Sequence, residues 1–246
     1  MDITDWSPPE SPDPHDILHS GVEDKRAGRF ATALAKYEWY HAHALKYQPS
    51  QYGVRLSFAL SYWHDLAKEY EPAMVAFVEC RNIAARRASD EKGQTGYQFF
   101  HDAMAFNRCL GDHQSTSNLF KQIHEEDPDT AESVYRLAQD SLMKTGHFAL
   151  CDRYLKAEQE LARLLENFQT QRIPNPTDKR DERTNMAIEQ IFTREAGNII
   201  AILSVNGHNE TRDRLADLLL NEWDDALFRE TIGKAKNGAF SYRTNA

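Results

Sequence analysis

No stretch of this chain approaches the roughly 18 consecutive apolar residues of a membrane-spanning helix, so nothing in it reads as a membrane protein. Cysteine is scarce: Cys80, Cys109 and Cys151 are odd in number, far apart and set among apolar residues. Without a Cys-x-x-Cys pair, a zinc site or a disulfide framework is not expected, and the three read as small reduced core residues. Alternating Val/Ile/Thr runs bounded by turns are missing, which removes the signature of strands. There is no phosphate loop, no Gly-x-Ser-x-Gly and no His-Glu-x-x-His, so no reaction is legible and the expectation is a non-enzyme without a cofactor. The first 20 residues are acidic and rich in proline, with no apolar run. They do not read as a signal peptide, and the expected location is cytoplasmic.

Positive charge is lacking at one end. Residues 1–24 hold seven carboxylates and no Lys or Arg, whereas the rest of the chain carries all 29 basic residues against 31 acidic ones. The body is therefore near neutral, and no general attraction to nucleic acid or to a membrane surface is expected. His15 and His19 are spaced to share one helical face, as two metal ligands would be, but no third ligand can be identified and no metal is expected.

What the sequence does contain is a recurring unit. Gly28-Arg29-Phe30 is followed by Ala33 and Tyr37, Lys68-Glu69-Tyr70 by Ala73, Phe77 and Cys80, Gly111-Asp112-His113 by Thr116 and Phe120, and Gly146-His147-Phe148 by Cys151 and Leu155. A tight turn, then a small residue, then a bulky apolar one describes two antiparallel helices packed through a small contact. Such units cannot bury their faces alone and must stack. Apolar spacing predicts helices over about 14–26, 30–47, 52–68, 71–88, 95–110, 113–126, 129–144, 147–171, 184–205 and 209–232. The expected organisation is an acidic Pro-rich tail over 1–13, four hairpins over 14–171, a charged loop over 172–183, a fifth hairpin and cap over 184–232, and a polar tail over 233–246.

These residues resemble the tetratricopeptide repeat family. Tyr135, Ala138, Leu142, Gly146, Phe148 and Leu155 carry the resemblance best, while Arg212 replaces the usual small residue. Turns at 28, 68, 111, 146 and 207 stand 40, 43, 35 and 61 residues apart, longer than the roughly 34 of the family. The resemblance implies an all-α, right-handed superhelix of about five hairpins, with the first helix of each pair lining a concave groove. Helical spacing from the turns then selects Arg55, Tyr62, His101, Arg108, Arg136, Asp140, Lys144 and Arg194 as groove residues. A groove rich in arginine with an aromatic would accept an acidic or carboxylate-bearing peptide. The implied function is a protein-binding scaffold, monomeric or weakly dimeric, with a ligand- or peptide-sensing regulator as the alternative. The acidic tail with Trp6 is itself a possible occupant of the groove.

Overall fold

Asp13 begins the first helix as its spacing suggests. Its carboxylate accepts hydrogen bonds from the His15 and Asp16 N–H groups (2.8 and 3.1 Å), and Pro14 supplies the first helical residue. The computed structural model describes residues 5–242, and within them the chain is all-helical, with no strand.

The chain divides into two units, residues 1–138 and 139–246. The first holds α1 (Pro14–Arg26), α2 (Phe30–Tyr47), a 3-10 turn (Pro49–Gln51), α3 (Tyr52–Arg55), α4 (Phe58–Ala67), α5 (Glu71–Asp90), α6 (Gly93–Leu110) and α7 (His113–Glu126). The boundary falls inside α8 (Pro128–Lys144). The second unit continues with α9 (Phe148–Tyr154), α10 (Ala157–Gln171), α11 (Lys179–Val205), α12 (Asn209–Glu222) and α13 (Ala226–Ala235).

The glycine turns repeat one hydrogen-bond pattern. Gly111 stands at φ 69°, its N–H donates to the Arg108 carbonyl (3.2 Å), and the Asp112 N–H reaches back to Asn107 (2.8 Å). The same pair of bonds closes the turns at Gly28, Gly146, Gly207 and Gly238, all left-handed. Only glycine enters that region without strain, so the residue stops the helix and turns the chain in one step. At Lys68 no positive φ is used, and the Glu69 and Tyr70 N–H groups both bond to the Leu66 carbonyl.

In the first unit the apolar stripes converge. Tyr37, Tyr40, Leu60, Trp63, Leu66, Phe77 and Phe106 are fully buried. Trp63 meets Phe77 edge-on (5.5 Å between centroids), and Phe77 meets Phe106 likewise (4.7 Å). α1 approaches α2 closely at Gly21, where an added Cβ would stand 2.8 Å from Tyr37 Cε1. Ala73 is fully buried and its carbonyl accepts from Trp63 Nε1 (3.1 Å). Ala73→Trp is expected to lower stability by roughly 1–3 kcal/mol through overpacking. A urea midpoint unchanged from the parent would show that the site has room for a larger side chain after all.

In the second unit Phe168, Phe192, Trp223 and Phe228 form an aromatic cluster, with the Phe168 and Phe192 rings stacked at 4.3 Å and the Phe168 and Trp223 rings 5.0 Å apart. α11 runs through this core, with Ala196 and Ile199–Leu203 buried.

Three expected helices are broken. The segment 52–68 divides at Leu56-Ser57, where Ser57 adopts φ −133°, ψ −91° and Leu56 is buried. The segment 147–171 divides after Tyr154, with Leu155 extended and packed against the second unit's core. The segment 209–232 divides at Trp223, whose extended backbone sends the ring into the Phe168/Phe192/Phe228 cluster, and Asp225 then caps α13 through the Leu227 and Phe228 N–H groups. In each case tertiary packing overrides a helical run that carries no Pro or Gly at the break.

The loop is shorter than 172–183. α11 begins at Lys179 because Asp178 accepts from the Arg180 and Asp181 N–H groups (2.7 and 2.9 Å). Asn185 then pins the Ile173 N–H and carbonyl (2.8 and 2.9 Å). The segment from residue 233, read from its composition as a polar tail, is held as far as it is described. Helix α13 runs to Ala235, Asn198 bonds both the N–H and the carbonyl of Ser241 (2.8 and 2.9 Å), and Phe240 stacks on Phe148 (4.8 Å). Residues 1–4 and 243–246 of the expected tails lie outside the described residues. From residue 5 to Asp13 the chain is non-helical, and Trp6 is half-buried with the Lys36 ammonium 5.9 Å from its ring centroid.

Candidate functional site

The break before α4 rearranges the face predicted from helical spacing. Where a continuous helix would bond the Leu56 carbonyl internally, Arg108 donates to it from α6 (Nη2, 2.8 Å) while the residue itself remains exposed. Beyond the break, Phe58 and Tyr62 lie one turn apart on α4 and stay open to solvent, at 63% and 37% exposure. Trp63, Phe77 and Phe106 in the same unit are fully buried, Tyr70, Tyr97 and Phe99 are half-buried, and Tyr47 on α2 is a further exposed ring. On α6, His101 is half-buried and its Nδ1 shares a hydrogen bond with the Tyr52 hydroxyl (2.9 Å). Arg136, on α8, is exposed.

Arg55 belongs to the interior rather than to this surface. It ends the four-residue α3, and its guanidinium grips the Asp102 carboxylate with two nitrogens (2.6 and 2.8 Å). A third nitrogen donates to the His41 carbonyl (2.7 Å), and Nη2 also meets His41 Nε2 (3.1 Å). Both side chains of the ion pair are about nine-tenths buried (11% and 10% exposed). Four of the five guanidinium N–H groups are thus bonded by α2 and α6, and Arg55 ties both to α3. Because arginine only donates, His41 Nε2 must accept, which places the imidazole proton on Nδ1. Among the described residues that N–H has no partner. Burial, then the nearby Arg55 charge, pulls the His41 pKa down to about 3 against the opposing pull of Asp102. The imidazole is therefore neutral across the physiological range. Burial, with Glu38 and Glu79 nearby, pushes the Cys80 thiol up to about 11, so it is no nucleophile at neutral pH. The cysteines are free; Cys151 is fully buried, whereas Cys80 and Cys109 are only half-buried.

The three remaining residues of the predicted groove lie in or beyond the part of α8 assigned to the second unit. Asp140 and Lys144 form an i,i+4 ion pair (3.0 Å), and Arg194 is held by its neighbour Glu195 (2.8 Å). The charges of the predicted groove are thus largely satisfied within the chain. Of the predicted groove, the first unit keeps Tyr62 on α4 and Arg108 on α6 exposed and His101 half-buried, and Phe58, one turn before Tyr62, is exposed as well.

Sequence reasoning passed over a second feature, a polar cleft between α5 and α7 with Asn107 of α6 at its edge, about 500 Å³ in volume. Its signal is a set of amides and arginines, Arg81, Asn82, Arg86, Asn107, Asn118 and Gln122, outside the hydrophobic stripes. His15 and His19 are both exposed with rings 5.9 Å apart, and among the described residues no group of three His, Cys, Asp or Glu is placed to hold a metal. No family model, curated protein or solved structure matches the chain.

Proposed function

We propose that this chain is a non-enzymatic protein-binding scaffold of the tetratricopeptide-repeat type, a right-handed stack of about five hairpins that works in the cytoplasm as a monomer or weak dimer. It takes an extended acidic or carboxylate-bearing segment of a partner on the α4/α6 face of its first unit. The observation that carries this reading is the exposed Phe58 and Tyr62 pair, one turn apart, in the same unit as the exposed Arg108. Large apolar rings left in solvent favour a partner that covers them, and an exposed arginine in the same unit favours an acidic one. The recurring glycine turns, closed by one hydrogen-bond pattern, support the repeat assignment.

The test uses the full chain and a fluorescein-labelled peptide of this protein's own residues 1–13, which is acidic, proline-rich and carries Trp6. Phe58→Ala with Tyr62→Ala is expected to weaken its binding by about tenfold or more. The apolar part of the contact should survive a rise in salt that would abolish a nucleic-acid complex. Unaltered affinity in the double variant would reject the face as the binding surface. A regulatory reading draws support from Arg55, through which α3 is tied to both α2 and α6: a ligand that shifted α3 would strain a buried ion pair. Hydrogen exchange at residues 52–57 that is the same with and without bound peptide would end that second reading.

A further inference from the structure

The segment that precedes α1 is anchored on α2 at two points. Trp6 is half-buried, with the Lys36 ammonium 5.9 Å from its ring centroid. That cation is itself fixed by a buried ion pair with Asp24 (2.5 Å), whose carboxylate also accepts from Arg29 Nε (2.8 Å). At the other end Gln48 Nε2 donates to the second oxygen of the Asp13 cap (3.1 Å). Between Lys36 and Gln48 the axis of α2 rises about 18 Å. The seven steps from Trp6 to Asp13 span about 22 Å in polyproline geometry. The lengths nearly match, so the segment follows α2 as an extended chain, the conformation that Pro8, Pro9 and Pro12 favour.

Along this stretch α2 carries a row of rings. Lys36, Trp39, His43 and Tyr47 stand at i, i+3, i+7 and i+11 and share one side of the helix. The Trp39 ring lies 5.6 Å from His43 and stacks on Tyr47 at 5.7 Å. Trp39 is half-buried, whereas His43 and Tyr47 are exposed. Aromatic rows of this kind suit prolines, because a polyproline segment is already extended and loses little conformational freedom on binding. The chain's own segment holds on lightly. Among the described residues, residues 7–12 make no hydrogen bond or ion pair, and all but Pro12 are exposed.

We propose that this face of α2 is a binding surface for an extended proline-rich segment of a partner protein, with an aromatic residue over Lys36 and prolines against Trp39, His43 and Tyr47. Residues 6–12 are then a tethered occupant that the partner segment displaces. Tethering keeps the occupant at an effective concentration in about the millimolar range, so even a lightly held segment blocks the face until a tighter ligand competes. The surface is separate from the α4/α6 face, which lies on other helices of the same unit.

The probe is an unlabelled peptide of residues 5–13, Asp-Trp-Ser-Pro-Pro-Glu-Ser-Pro-Asp. It is titrated to about 1 mM into isotope-labelled full-length protein and into its Trp6→Ala variant. Amide shifts are expected across residues 36–48. Loss of the tethered ring should raise affinity for the peptide about tenfold or more over the parent. His43→Ala with Tyr47→Ala, both at exposed positions, added to the Trp6→Ala protein should reverse that gain with unchanged far-ultraviolet circular dichroism. A peptide with glycine in place of its prolines should bind about fivefold more weakly or worse. In the parent, the peptide should move the Trp6 indole N–H signal towards its position in free peptide, a readout that needs no variant. Affinities of parent and Trp6→Ala within about twofold of each other, or shifts that avoid residues 36–48, overturn the proposal. Shifts confined to Phe58, Tyr62 and Arg108 overturn it and support the α4/α6 face, whereas shifts confined to α2 support it and count against that face. Dimerisation through α2 with no response to peptide would make the face a contact between copies and overturns the proposal as well.

Discussion

Asp102→Ala is expected to destabilise the first unit by about 3–5 kcal/mol, among the largest effects available to a single substitution here. The variant leaves the Arg55 guanidinium in place, still nine-tenths buried and still bonded to His41, but with its countercharge gone. The loss reflects an unpaired buried charge rather than the net worth of the pair, because both ions were stripped of water on folding. A second variant tests this cause. Arg55→Met with Asp102→Leu removes both charges and should recover most of the lost stability. The measurement is urea unfolding of the parent, Arg55→Met, Asp102→Leu and the double variant, read as a thermodynamic cycle, with Asp102→Ala alongside. Additive losses would mean that the two groups are not coupled and that solvent reaches the guanidinium.

Acid should destabilise the protein through His41, and the sign follows from the direction of its shift. The folded chain holds this imidazole neutral down to about pH 3, whereas an unfolded histidine takes up a proton near pH 6.5. Below pH 6.5 the unfolded chain therefore binds more protons, and stability falls as pH drops towards the folded value. The contribution is fully present above pH 6.5 and is lost at about 1.4 kcal/mol per pH unit through the window. At pH 4.5 it amounts to about 2–3 kcal/mol. Other groups, including His64, His101 and Asp65, also have depressed values and add to acid sensitivity. The comparison that isolates His41 is therefore the difference between the parent and His41→Gln at pH 7 and at pH 4.5. Glutamine keeps an acceptor for Arg55 but cannot protonate. The variant should lose less stability between the two pH values by about that amount, and parallel curves would show that the imidazole is solvated.

Both expectations rest on a cluster that helical spacing mis-sorted. Counting back from Lys68 puts Arg55 on the same face as Tyr62, which holds only if residues 52–68 form one straight helix. Leu56 turns inward instead, the helix breaks at Ser57, and Arg55 is left on a separate short element that points into the first unit's interior. The partner that neutralises it, Asp102, lies 47 residues away, with nothing in its neighbourhood to announce the pairing. Tyr62 was legible because it stays within α4 after the break, and Arg108 was legible as an exposed residue of α6, although not its bond to the Leu56 carbonyl. The α5–α7 cleft was missed for a related reason: amides and arginines scattered over residues 81–122 mean little until three helices stand side by side.

The sequence by itself determined the helical class, the position of most helices and the way they turn. α1 and α2 begin and end where capping and periodicity place them, since Asp13-Pro14 and Gly28 act through bonds only a few residues long. The same local bonding recurs at Gly111, Gly146, Gly207 and Gly238, where the left-handed backbone needs glycine whatever surrounds it. Only the tertiary structure decided where a helical run is interrupted, which polar groups are drawn inside and how far the C-terminal segment is held. Leu155 and Trp223 leave helical geometry because each gains more by entering the second unit's core than its backbone loses in one turn of hydrogen bonds. Asn198 and Phe148 capture Ser241 and Phe240 by contacts between residues far apart in the chain. These are competitions between local propensity and long-range burial, and their outcome depends on neighbours that only the folded chain supplies.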